Sequence, residues 1–182
     1  MADVILYLAT GVGALAVLLS VLAFWTRPEK LGRLAAIALM TFAALTLLGL
    51  VTRGVTLSRV PLTGLYEFCV ALAFALAAMA LPLRRRLPGV LITMVLSLSA
   101  FLTLALAHTI PHSDDPIMPA LKSVWLTAHV LTSIVAYASF GLAFVMALLY
   151  LAKAKGEGDL AAHYDLVGHK SIVMGFIFQT LL

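Results

Sequence analysis

Long uncharged apolar runs alternate along this chain with short clusters of polar and charged residues. A helix needs about 20 mostly apolar residues to cross a hydrocarbon core of roughly 30 Å. Residues 4–25, 34–51, 68–83, 87–107 and 124–152 predict five full transmembrane helices, the third beginning nearer Leu65. A further apolar run over residues 171–182 would reach only about 18 Å. It reads as a sixth helix cut short, so the chain is expected to be incomplete at that end. Pro82 and Pro88 bracket the basic turn between the third and fourth helices. With no repeat or linker between the runs, residues 1–182 read as one all-α polytopic membrane domain.

Composition strengthens that reading. Apolar residues make up 63% of the chain and charged residues 11%, and mean hydropathy is +1.11. A soluble domain carries roughly 25% charged residues because its surface meets water. The first run reads as a retained span rather than a cleaved signal, because Asp3 precedes it, no Lys or Arg comes before Arg27, and the run exceeds a signal core in length. The lone cysteine, Cys69, excludes an internal disulfide or a CxxC redox pair and reads as a small buried apolar residue.

The net charge of +4 does not point to nucleic acid, because no basic stripe lies on a soluble face. The basic residues instead set orientation. Arg27, Lys30 and Arg33, then Arg84, Arg85 and Arg86, then Lys153, Lys155 and Lys170 occupy alternate connections. Arg53, Arg59 and Lys122 occupy the others. The positive-inside bias therefore predicts an external N-terminus, with residues 52–64 and 108–123 on the external face.

Four groups could carry chemistry. The segment from Pro61 to Phe68 places Tyr66 and Glu67 at the external entrance of the third helix, where the helix dipole favours a carboxylate. Glu67 reads equally as a helix-end anchor and as a functional group. The segment from His108 to Pro116 holds His108, His112, Asp114 and Asp115. It matches no tight zinc motif and reads as a hydrated loop rather than a metal site. In the fifth helix Trp125 and His129 stand four residues apart and share a face. Tryptophan favours the membrane boundary, which puts His129 about 5.4 Å deeper. Its imidazole wants a hydrogen bond, a proton or a metal. Residues 156–170, with His163, Asp165 and His169, read as a connecting loop without chemistry. Ser139, Ala143 and Ala147 form a small-residue stripe suited to close helix packing.

Pro61, Tyr66 and Glu67 fall in a segment that resembles the P-x-x-N-x-Y-E motif of the CcsA/ResC family of system II cytochrome c biogenesis proteins. The run from Leu121 through Lys122, Ser123, Trp125, His129 and Val130, followed by Tyr137 and Phe140, resembles that family's L-K-S-x-W-L-x-x-H-V…Y-x-x-F signature. The stretch from Asp165 to Phe176 looks like its next helix. The matches occur in the family's order over roughly residues 60–178.

The resemblance implies a protein of the cytoplasmic (inner) membrane that carries haem b and presents it externally to apocytochrome c. It would work with the companion membrane protein of system II, as part of a haem-attachment complex rather than as an enzyme alone. It implies His129 as an axial haem ligand, with Trp125 in the haem vicinity. Two departures stand out. Gly64 occupies the position where the family commonly has Asn, and Trp25 and Trp125 are the only tryptophans. The family's tryptophan-rich platform and second external histidine are therefore missing from the chain. The rival readings are a transporter that handles no haem and a structural subunit of a membrane complex. The midspan positions lack the charges and helix breaks that favour the first.

Overall fold

A computed structural model describes residues 1–80, 82–83, 90–112, 123–153 and 158–181. Those residues form helices α1 (Ala2–Thr26), α2 (Glu29–Leu57), α3 (Leu65–Ala78), α4 (Val90–Ala107), α5 (Val124–Lys153) and α6 (Gly158–Thr180). The expected all-α polytopic bundle is what the chain forms. The arginine turn 84–86 and Lys122 lie outside the described residues.

α1 shows how the bundle is held together. Its buried residues are Ala2, Leu6, Ala9, Gly13, Ala16, Ser20 and Ala23, spaced alternately by three and four. Six of these are small, while Leu8, Leu15, Leu18, Leu22 and Phe24 point outward. Lipid is as apolar as leucine, so helices associate in a bilayer by close backbone approach rather than by hiding large side chains. Where a large residue does enter, a glycine faces it. A Cβ on Gly49 of α2 would lie 2.6 Å from Leu6 Cδ2, and one on Gly13 would lie 2.8 Å from Phe42 Cδ2. The α1–α2 hairpin closes in two residues. Arg27 takes the left-handed φ of 56° that ends α1, and Pro28 is the extended cap of α2.

α1 also packs on α4, α2 on α3, α3 on α4 and α5, and α5 on α6. Phe42, Leu39, Ile92, Leu96 and Leu104 fill the centre of the first four helices, and Val145, Met146 and Leu149 carry the core into α5.

The expectation of five full spans and a truncated sixth is corrected in two places. Among the described residues four helices are long and apolar enough to cross a membrane: α1, α2, α4 and Val124–Ala152 of α5. α3 has only 14 residues, about 21 Å. It stops at Ala78 although the apolar run continues: Met79 is its C-cap, and Ala80, Pro82 and Leu83 are again helical beyond that break. The second correction is α6. Residues 158–170, expected as part of a connecting loop, are the first half of a 23-residue helix. Its buried stripe is Ala161, Tyr164, Gly168, Ser171 and Gly175, while His163, Asp165, His169 and Lys170 are exposed. Its partner on α5 is close to the predicted stripe. Ser139 and Ala143 are buried and a Cβ on Gly168 would meet Met146 Cβ at 3.3 Å, whereas Ala147 is exposed.

Candidate functional site: a charged and aromatic cluster at one end of the bundle

α2 runs past its expected end at Val51 to Leu57, which places Arg53 within a helix instead of a loop. Ser58 then takes a left-handed φ of 50°, and the Arg59 amide returns to the Gly54 carbonyl at 3.2 Å. This Schellman-type closure reverses the chain. Arg53 and Arg59 are thereby brought over the first turn of α3.

Glu67 receives them. Its Oε1 accepts from Arg53 Nε at 3.2 Å and lies 3.3 Å from Arg59 Nη2. Its Oε2 accepts the Thr63 amide at 2.9 Å, the Gly64 amide at 3.1 Å and the Thr63 hydroxyl at 3.2 Å. Arg59 also donates to the Thr63 hydroxyl. The Arg53 and Glu67 side chains are only 6% and 3% exposed. Buried charges persist when they are paired and their remaining hydrogen-bonding capacity is met, and here both conditions hold. Glu67 is the carboxylate half of a capping box whose other half, Gly64, has no side chain to return the bond.

The cluster continues through stacked rings. The Arg53 guanidinium lies 5.2 Å from the Tyr66 ring centroid, within cation–π range. On Tyr66 stacks His112, at 3.8 Å between centroids and 13° between planes. His112 Nε2 is in turn 3.8 Å from Asp3 Oδ1 of α1, an ion pair whenever the imidazole is protonated.

A second stack lies alongside: Tyr7 on His108, at 4.5 Å and 8°. Thr10 donates its one hydroxyl hydrogen to the Leu6 carbonyl at 2.9 Å, and its oxygen is 2.8 Å from His108 Nε2. The histidine must therefore be the donor, with the proton on Nε2. Burial pushes the His108 pKa below its ordinary 6.5, against an opposing pull from its contact with the Leu6 backbone and from Asp3.

Residues 108–112 form a loop whose Thr109, Pro111 and His112 are exposed, as expected of a hydrated loop, but whose two histidines stack on α1 and α3; Asp114 and Asp115 lie outside the described residues. No spacing in the sequence links Tyr7 to His108 or Tyr66 to His112. The partners are 101 and 46 positions apart, and folding alone joins them.

α5 starts at the same end. Phe68 packs edge-on against Tyr137 at 5.8 Å, and Val130 packs with Leu62, Ala71 and Ile134 beside the entrance of α3. The neighbouring His129 points the other way. Its ring is exposed and has no protein partner among the described residues. Its carbonyl accepts the hydroxyls of Thr132 and Ser133. Trp125, one turn earlier, is 76% exposed on the same face. Ser123 caps the start of α5 by accepting the Trp125 amide at 3.2 Å. No group of three His, Cys, Asp or Glu residues among those described could hold a metal ion by itself.

The long apolar helices define a multi-pass protein of the inner membrane, with a buried ionic and aromatic assembly at one end of its bundle. The chain belongs to the cytochrome c assembly family: the family described as "Cytochrome C assembly protein" matches residues 2–181. The cytochrome c biogenesis protein CcsA of Microcystis aeruginosa is 35% identical over 53% of this chain and 31% of its own length. CcsA of Gloeothece citriformis is 32% identical over 74% of this chain and 41% of its own. CcsA of a Synechococcus strain is 31% identical over 75% and 46%. The chain therefore spans less than half the length of the curated relatives it matches.

Proposed function

We propose that this chain is the part of a CcsA-type cytochrome c biogenesis protein that receives haem and presents it at the external end of the bundle. Haem b is the cargo, apocytochrome c the recipient, and the companion membrane protein of system II the partner. His129 supplies one axial nitrogen to the haem iron. Trp125 lies over the same outward face and shields the ligated side. The cluster around Glu67 does not touch the cargo in this reading. It holds the reversal between α2 and α3 rigid, so that α5 packs on a fixed support through Phe68 and Leu62. The external N-terminus belongs to the same proposal, resting on the basic residues of the alternate connections.

The observation that carries the reading is the free His129 imidazole within the family's signature, four residues after an equally outward Trp125. A neutral imidazole has a lone pair for iron and an N–H to fix its orientation. The test is the reduced-minus-oxidised spectrum and haem content of the chain purified from membranes. His129→Ala is expected to lose most of the bound haem, with added imidazole restoring part of the spectrum. His169→Ala, on the outward face of α6, is expected to match the wild type. Wild-type haem content and spectrum in His129→Ala would remove His129 from the site.

A further inference from the structure

At the opposite end of the bundle a cavity of about 750 Å³ opens between the end of α3, the middle of α5 and one face of α6. Ligand sites run from roughly 300 to 1,000 Å³, so this volume suits a bound molecule. Its walls are apolar and adaptable, with Met79, Leu83, Leu142, Val167 and Met174 among them. Two hydroxyls also line it, but both are committed to their own helices. Ser139 donates to the Val135 carbonyl at 2.7 Å and Ser171 to the Val167 carbonyl at 2.8 Å.

The remaining polar lining is His163 and Lys170. Neither side chain has a hydrogen-bond or ion-pair partner among the described residues. They stand seven positions apart on one face of α6, about 10 Å along the axis. No charged residue follows Lys170 in α6. It therefore stands where the polar half of that helix gives way to the apolar half.

Depth identifies the occupant. Leu142 lies about 25 Å along α5 from Trp125. If Trp125 marks one boundary of a core roughly 30 Å thick, the cavity sits just inside the other. That is the end to which Arg27, Lys30 and Arg33 belong. A basic pocket between transmembrane helices at this level suits the phosphate of an anionic lipid.

We propose that this cavity binds an anionic phospholipid, with an acyl chain against the methionine and leucine walls and the phosphate on Lys170 and His163. Free phosphate would leave the apolar walls unused, and a zwitterionic lipid would place its own cation beside Lys170. The inference does not depend on the haem reading.

The test is native mass spectrometry of the purified chain, delipidated and offered dioleoyl phosphatidylglycerol or dioleoyl phosphatidylcholine. The wild type is expected to retain the anionic lipid preferentially. Lys170→Ala should cut that preference roughly fivefold, and adding His163→Ala should abolish it. Lys30→Ala, a lysine of the same end outside the cavity, should leave it intact. Met174→Trp should reduce retention of the anionic lipid by filling the space for its chain. Lys170→Gln serves as the charge test if the alanine variants fail to fold by circular dichroism. An unchanged lipid preference in the folded charge variants overturns the proposal. So does a loss of bound haem in those variants with lipid retention untouched, because the cavity would then hold a different amphiphile.

Discussion

Glu67 gathers two guanidinium groups and two backbone amides onto one carboxylate, so its removal weakens several contacts at once. Breaking a buried ion pair by neutralising one member costs about 3–5 kcal/mol, because the other charge stays buried. Glu67→Gln is expected to destabilise the bundle by that order, read from the midpoint of unfolding in denaturing detergent. Arg53→Met in the same background should recover part of the loss, since it takes away a buried charge that has lost its carboxylate. Purely additive losses would mean that the 3.2 Å contact between Arg53 and Glu67 contributes nothing to stability.

At the scale of the helix, the entrance to α3 explains the departure from the family motif at Gly64. Gly64 is the N-cap, with φ −129° and ψ 160°, the extended geometry that Asn, Asp or Ser also adopts when capping. A Cβ there would meet only Glu67 Oε2, at 3.7 Å. Gly64→Asn is therefore expected to fit and to stabilise the chain by a few tenths of a kcal/mol, raising the unfolding midpoint slightly. A lower midpoint would show that the new side chain disturbs the carboxylate.

The same scale shows what the sequence made legible. α1, α2, α4 and α5 were readable because a bilayer imposes a length and an apolar composition on any helix that crosses it. Glu67 was readable as a first-turn carboxylate. α6 was hidden because its buried stripe is Ala161, Tyr164, Gly168, Ser171 and Gly175, which hydropathy does not score as a core. The end of α3 was hidden because an apolar run does not reveal where the backbone stops being helical. Arg53 looks like a loop residue in the sequence because a buried arginine is intelligible only beside its carboxylate. The histidine–tyrosine stacks join residues far apart in the chain, so no local pattern could announce them.

For the molecule as a whole, the contacts of Asp3, Arg53, Tyr66, His108 and His112 bring the start of α1, the end of α2, the start of α3 and the end of α4 to one level. The connection between α1 and α2, with Arg27, Lys30 and Arg33, lies at the other. The positive-inside bias then predicts that a cysteine at Ser113, in a Cys69→Ser background, reacts with an impermeant reagent from outside intact cells. One at Arg85 should react only after the membrane is opened. The reverse pattern would invert the whole topology.

The small-residue stripe of α1 also reaches beyond stability. In a water-soluble protein the outer positions drift and the bulky interior is held fixed by the need to exclude water. Here the outward leucines can be exchanged for isoleucine, valine or phenylalanine as lineages diverge, because lipid conforms to any of them. Ala9, Ala16 and Ala23, 0 to 1% exposed, cannot grow without prying helices apart. The lasting record of this chain's ancestry is therefore carried by its smallest side chains, where hydropathy comparisons are least sensitive.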